Sequence, residues 1–184
     1  KGRHPIIWSL ILGLKFTGST FFFMDEGADT GDIISQKKIK IQENDDARTL
    51  YEKIISTAKI QIFEIINDIL NNSLKRKKQL VNEGNFWRKR FKDDGKIDFR
   101  MTTNSIYNLV RGLTNPYPGA HFEYQNKEIK VWKVEIGDSF NENIEPGKVI
   151  GIDGSKINVK TGDGSIWIVE HEMQNLPELN NYII

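Results

Sequence analysis

The 184 residues are 38% hydrophobic, contain no cysteine, and carry 26 Lys and Arg against 25 Asp and Glu. A chain of this length buries a real core. The missing thiols exclude a disulfide scaffold, a thiolate zinc site and a cysteine nucleophile, and the balanced charge demands neither nucleic acid nor an anionic membrane as partner. The apolar runs Pro5 to Leu14 and Phe21 to Met24 are too short to span a bilayer. The expected compartment is the cytoplasm.

In chain order, Pro5 followed by apolar residues to Leu12, with Gly13 behind them, predicts a short helix. Thr20 to Met24 and Ile33 to Ile41 read as two strands joined by an acidic loop. Asp46 is a helix N-cap, and Leu50, Ile54, Ile55, Ala58, Ile62, Ile65, Ile66, Ile69 and Leu70 recur behind it at helical spacing up to Asn71-Asn72-Ser73. The run Lys75-Arg76-Lys77-Lys78 reads as a solvated helix exit. Arg88-Lys89-Arg90, interleaved with Phe86, Trp87 and Phe91, reads as an ordered connection across a domain boundary, although the same cluster could grip RNA phosphates and bases.

A second helix is expected over Thr103 to Leu113, before Asn115-Pro116-Tyr117-Pro118-Gly119. Five short strand-like runs follow: Ala120 to Tyr124, Glu128 to Ile136, Lys148 to Ile152, Lys156 to Lys160 and Ser165 to Glu170. They suit a small barrel. The domain division is therefore 1–96 and 97–184, with Trp8, Trp132 and Trp167 expected in the core.

The chemistry concentrates in Met24-Asp25-Glu26-Gly27-Ala28-Asp29-Thr30-Gly31-Asp32-Ile33. An Asp-Thr-Gly in an aspartic protease needs an apolar strand running into the Asp and a second copy of the tripeptide; here Gly27-Ala28 precede Asp29 and Asp32 follows Gly31. A calcium loop starting at Asp25 would place Gly27 third, Thr30 sixth and Gln36 twelfth, which is the wrong donor set. No metal site is expected. The plainest reading is a hairpin loop with solvated acids.

The ordered set around that loop changes the reading. Lys1-Gly2-Arg3-His4-Pro5, Thr17-Gly18-Ser19-Thr20, the 24–34 stretch, Asp46-Ala47 with Thr49-Leu50, Arg88-Lys89-Arg90 with Asp93-Asp94-Gly95-Lys96-Ile97-Asp98-Phe99, Asn115-Pro116-Tyr117-Pro118-Gly119-Ala120 and Lys130-Val131-Trp132-Lys133 together resemble the formyltransferases that use 10-formyltetrahydrofolate. That family includes methionyl-tRNA formyltransferases and sugar-nucleotide amine formyltransferases. The resemblance implies an α/β fold: the C-terminal part of a Rossmann-like lobe, followed by a small OB-like β-barrel. It also implies amine acylation by a catalytic Asn, His and Asp, the Asp matching Asp29. The folate-contacting stretch maps onto Asp25, Glu26, Gly27, Ala28 and Asp29, with Arg3 as a further cofactor contact.

The Asn-x-His pair of the family is not in this sequence, since His4, His121 and His171 have no Asn two residues earlier. The chain thus looks like the C-terminal part of such an enzyme, inactive alone. An isolated binding module with an idle catalytic loop is the non-enzyme alternative.

The acceptor is the harder expectation. Residues 97–184 carry 8 Lys and Arg against 12 Asp and Glu, a net of −4, whereas 1–96 carry a net of +5. An RNA-binding domain is normally basic, so the acidic C-terminal half weighs against tRNA and favours a nucleotide-linked amino sugar. A homo-oligomer is compatible with this reading.

Overall fold

The computed structural model describes residues 1–80, 84–138 and 142–183. Helix α1 (Pro5–Ile11) leads into an antiparallel hairpin of β1 (Phe16–Phe22) and β2 (Ile33–Lys40), then the long helix α2 (Ala47–Leu70). An irregular segment ends in a 3-10 turn (Lys92–Gly95) and gives way to α3 (Thr103–Leu113). The rest is antiparallel: β3 (Ala120–Tyr124), β4 (Lys127–Gly137), β5 (Val149–Asp153), β6 (Lys156–Lys160) and β7 (Ser165–His171). Among the described residues, no helix is long and apolar enough to cross a membrane.

Local chemistry sets these boundaries. Asp46 accepts from the Thr49 amide at 2.8 Å while the Thr49 hydroxyl accepts from the Asp46 amide at 2.9 Å, a reciprocal cap that starts α2. Helix α3 is capped locally by Thr102, which accepts from the Ser105 amide at 3.2 Å, and also from a distance: Asp163, in the turn before β7, accepts from the Thr103 amide at 2.7 Å and from its hydroxyl at 2.9 Å. Gln125 and Asn126, both at positive φ, form the two-residue turn between β3 and β4. Strand β1 starts at Phe16, before the apolar run expected to define it, because the Thr17 hydroxyl is matched by Ser9 of α1 at 3.2 Å and Gly18 and Ser19 pair with Lys38 and Lys37.

The five C-terminal strands are ordered β3-β4-β7-β6-β5. The expected closed barrel is not formed: β3 and β5 are the two ends of an open sheet. Lys96 bridges to His121 along β3, while the segment around Tyr182 pairs with the start of β5. Covering segments of this kind protect sheet edges from intermolecular pairing. The gap between them is a cavity of about 770 Å³, floored by Phe99, Phe122 and Ile183.

Two cores result. The larger joins α3 to the inner face of the sheet through Ile106, Val110, Phe122, Val131, Ile157 and Ile166, with Ile7 of α1 added. The smaller gathers Leu10, Ile39, Ile41, Ala47 and Leu50. None of Trp8, Trp132 and Trp167 is buried, contrary to the sequence expectation. Trp132 lies against Gly119 and its indole donates to Glu172 at 3.1 Å, so its ring roofs the sheet margin instead of filling the core.

Between the two cores, Arg111 of α3 donates through one guanidinium nitrogen to the carbonyls of Gln42, Glu43 and Asp45 at 3.3, 3.2 and 3.0 Å, and Tyr107 donates to Glu43 at 3.1 Å. Arg111→Met keeps the stem and removes the donors, so the partly buried Asp45 carbonyl loses its guanidinium donor, while Glu43 keeps Tyr107. It should lower stability by about 1–3 kcal/mol, read as a fall in the urea midpoint at unchanged slope.

Candidate functional site

The loop at residues 24–32 is tied from within. The Asp25 carboxylate accepts from the Gly27 amide at 3.0 Å and from the Thr30 hydroxyl at 2.6 Å, and the Phe23 amide donates to the Asp32 carbonyl at 2.9 Å. Gly31 is buried at the neck, where an added Cβ would lie 1.7 Å from the Phe23 carbonyl oxygen. No other residue fits there. Asp29 sits at the loop's outer end with a left-handed backbone, φ 59°. Asp25 to Thr30 are all exposed, and among the described residues the Asp29 carboxylate has no hydrogen-bond or ion-pair partner. The loop therefore presents the Asp29 carboxylate unpartnered, as are those of Glu26 and Asp32 among the described residues, while Asp25 is spent within the loop.

A second segment braces this loop. The Ile33 amide donates to the Lys77 carbonyl at 2.8 Å and the Lys77 amide returns the bond at 2.9 Å. Gln79 donates to the Gly31 carbonyl at 2.6 Å, and the Arg76 guanidinium lies 4.0 Å from the Phe23 ring centroid. Residues 75–78 are exposed, as expected of a solvated helix exit, but the backbone of Lys77 and the side chain of Gln79 also brace the loop as a strut. Thr30, Gly31 and Gln79 are the supporting residues that sequence reasoning missed; their roles depend on contacts across five to 48 residues of chain.

Arg3 lies elsewhere. Its amide donates to the Trp87 carbonyl at 3.0 Å, its side chain is exposed, and no hydrogen bond or ion pair among the described residues joins it to Asp25, Glu26, Gly27, Ala28 or Asp29. The structure brings the five loop residues together and leaves Arg3 at the start of α1.

In the basic and aromatic connection the two arginines make internal contacts, while Phe86, Lys89 and Phe91 are exposed. Arg88 pairs with Asp94 through both guanidinium nitrogens, Arg90 donates to the Asp94 carbonyl, and the guanidinium carbons of Arg88 and Arg90 lie 5.6 and 4.8 Å from the Trp8 ring. The Trp8 indole donates to the Arg88 carbonyl at 3.1 Å. Arg88 holds the Asp94 carboxyl well below its ordinary range. Beyond the 3-10 turn, Glu128 pairs with Lys92 at 2.5 Å and Lys130 at 2.9 Å, and these hold its carboxyl at about 2. Next to it is His121, buried, with Nε2 3.9 Å from Glu128 and Nδ1 unmatched; burial pushes its imidazole down, against the pull of Glu128 and with the push of Lys130, Lys92 and Lys96.

Likeness to known proteins places this architecture. Residues 1–66 match the description "Formyl transferase" and residues 89–180 match "Formyl transferase, C-terminal domain". The chain belongs to the formyl transferase family. Among curated relatives, it is 38% identical over 180 residues to the methionyl-tRNA formyltransferase of Halothermothrix orenii, covering 94% of this chain and 56% of the relative. It is 35% identical over 160 residues to the bifunctional polymyxin resistance protein ArnA of Wigglesworthia glossinidia brevipalpis, covering 87% of this chain and 24% of that protein. The fold is similar to that of the N-formyltransferase from Helicobacter canadensis in complex with folinic acid and dTDP-3-aminofucose, with TM-score 0.73 and 24% identity over 94% of this chain and 62% of that one. The chain spans little more than half the length of the first of these relatives.

The acid response of the fold follows from the connection. His121 binds its proton more weakly folded than unfolded, so stability falls as pH drops below about 6.5. Glu128 and Asp94 are lowered in the fold, so their contribution is present above the ordinary carboxylate range and is lost as pH falls through it. Urea midpoints measured against pH should therefore decline in two stages, and His121→Asn should remove the first while keeping the second.

Proposed function

We propose that this chain supplies part of a site that transfers a formyl group from 10-formyltetrahydrofolate to an amine. The observation that carries this reading is the free Asp29 carboxylate on an internally bonded loop. Exposed loop carboxylates are commonplace, but here the neck glycine, the Asp25 bonds and the strut from residue 79 all serve to fix the frame beneath it. In the proposed chemistry the acceptor nitrogen attacks the formyl carbon and forms a C–N bond. The tetrahedral oxyanion is stabilised by an amide donor, the bond to N10 of the folate breaks, and the proton lost by the attacking amine passes through an imidazole to N10. Asp29 orients that imidazole and stabilises its charged form. The amide donor and imidazole are the Asn-x-His pair of the family resemblance, and the 184 residues contain no such tripeptide. Turnover therefore requires polypeptide that carries it, and Gly27, Ala28 and their neighbours form the folate-facing wall.

For the acceptor we favour a nucleotide-linked amino sugar. Support comes from the net of −4 over residues 97–184 and from the internal engagement of the connection's two arginines, Arg88 paired with the Asp94 carboxylate and Arg90 half-buried on the Asp94 carbonyl and Trp8. The likeness to a formyltransferase solved with dTDP-3-aminofucose is in keeping with it. Initiator methionyl-tRNA is the second reading, favoured by the 38% identity to a methionyl-tRNA formyltransferase. Parallel assays with both acceptors separate them: efficient formylation of methionyl-tRNA with amino sugars inert would reverse the preference.

Asp29→Asn, made in a polypeptide that also carries the Asn-x-His pair, should reduce turnover by roughly 100-fold or more with little change in folate affinity. Asp32→Asn is the control, since its side chain has no partner among the described residues and it lies outside the proposed imidazole contact. Rates of tetrahydrofolate release for both variants, checked against unchanged thermal unfolding, decide the matter. Near-normal turnover in Asp29→Asn would reduce that carboxylate to loop chemistry.

A further inference from the structure

The segment from Lys92 to Lys96 crosses the outer edge of β3 with few fastenings. Its backbone meets the strand at one bridge, Lys96 to His121, beside which the Ile97 amide donates to the His121 carbonyl at 2.6 Å. Its side-chain ties are Lys92 to Glu128 at 2.5 Å and Lys96 to Glu123 at 3.4 Å, both made by exposed lysines. Exposed pairs of this kind are individually weak. Asp94 binds Arg88, Arg90 and the Phe91 amide, all within its own connection. Ile97 is the fixed end, 3% exposed in the larger core.

Under the segment lies His121, 4% exposed. Its Nε2 is 3.9 Å from Glu128, whereas Nδ1 is buried without a partner beside Gly95, where an added Cβ would lie 3.5 Å from it. A neutral imidazole fits this slot by carrying its one proton on Nε2. A second proton has to go on Nδ1, where nothing accepts it. Burial opposes that cation most. Glu128 of β4 favours it but is already shared by Lys92 of the 3-10 turn and Lys130 of β4, and these lysines and Lys96 oppose it. The side chain that reaches Gly95 from α3 is the apolar Leu113.

We propose that residues 92–96 form a proton-operated strap, which lies closed on β3 while His121 is neutral and swings away about Ile97 when His121 takes up its second proton, the sheet staying folded. Opening lets the imidazolium reach water. Lys96 and Ile97 line the cavity of about 770 Å³ between β3 and β5, so the same movement widens its mouth. The working range follows from the sign of the coupling. The open form holds the imidazole at its ordinary value of about 6.5 and the closed form holds it lower, so opening grows as pH falls through about 6.5. Glu128, held at about 2, and Asp94, held below its ordinary range, do not change charge there.

Amide hydrogen exchange, read by NMR on the 184-residue chain in low urea and corrected for the intrinsic pH dependence of exchange, tests the strap. The Lys96 and Ile97 amides should exchange faster than those of β6 and β7 and at rates insensitive to urea, the mark of a local opening that exposes little surface. That opening should grow roughly tenfold between pH 7.5 and 5.5, as linkage to one proton requires, and His121→Phe should flatten the response. Strap amides that exchange only with the sheet, with the same urea dependence, overturn the proposal, as does a local opening indifferent to pH. A tenfold response that survives in His121→Phe overturns it too and passes the role to another group, such as His4, which accepts from the Arg90 amide at 3.4 Å. If His121→Phe does not fold, the imidazole titrations of the unaltered chain decide: strap amide shifts that follow the His121 midpoint support the device, and shifts that follow His4 instead reject it.

Discussion

The structure depends on the division of α1 between two cores. Seven residues long, this helix sends Ile7 into the core beneath the C-terminal sheet and Leu10 into the core beneath the hairpin. Ser9, fully buried between them, spends its hydroxyl on the Pro5 carbonyl at 2.8 Å and on Thr17. A helix this short has little intrinsic stability, so it persists because both cores hold it. The returning connection then closes over its outer side: Gly2 bridges to Trp87, and Arg88 and Arg90 settle on Trp8. An added Cβ at Gly2 would lie 2.3 Å from the Trp87 carbonyl oxygen, so the crossing requires glycine there. The hairpin that carries the candidate site is thereby referenced to the C-terminal sheet through this short helix, together with the Tyr107 and Arg111 bonds from α3 to residues 42–45.

From that frame the site loop inherits its rigidity in layers. Gln61, fully buried on α2, donates to the Ser19 carbonyl at 3.2 Å and to the Ser35 hydroxyl at 2.8 Å, joining β1 and β2 from below. The strut at residues 75–79 holds the neck from the side. The loop from Met24 to Thr30 is left to solvent, and Asp29 is on that stretch. Placement of one group by surrounding bonds that are themselves satisfied is the arrangement catalysis demands.

How much of this was legible in the sequence depended on the range of the interactions concerned. Helices α2 and α3 were readable because their caps, Asp46 with Thr49 and Thr102 with Ser105, are local. The apolar pattern of α2 defined the helix but not its use: Leu50, Ile54 and Gln61 face the hairpin, whereas Ile62, Phe63, Ile66 and Leu70 are exposed, at 44, 70, 47 and 74%. Periodicity counts apolar residues and is blind to which stripe finds a partner. The strands of the second half emerged nearly to the residue, since turn residues punctuate them. Closure did not emerge, because whether a five-stranded sheet meets itself depends on twist and on what covers its ends, here the segments around Lys96 and Tyr182. At the candidate site, the loop residues came forward through family resemblance as a proposal, while Gln79 and the strut did not, since Gln79 reaches Gly31 across 48 residues.

Charge illustrates the same limit from the opposite side. The formal balance of +5 in residues 1–96 and −4 in 97–184 is a property of composition, but electrostatic consequence belongs to the charges left unspent. Of the two basic clusters, the one whose composition most resembles a nucleic-acid contact, Arg88-Lys89-Arg90, has Arg88 paired with the Asp94 carboxylate and Arg90 held on the Asp94 carbonyl and the Trp8 ring. The cluster that reads as an ordinary solvated exit, Lys75 to Lys78, keeps its lysines free of ion pairs among the described residues and is bonded to the loop that bears Asp29. Both clusters are basic and lie in irregular chain between helices, yet one acts as a structural clamp and the other presents an external field. The difference lies in whether an acid arrives within a few residues to close a local pair: Asp94 does so for Arg88, six residues away. The acids of the loop beside the strip are turned instead to holding and presenting that loop, as Asp25 does with Gly27 and Thr30.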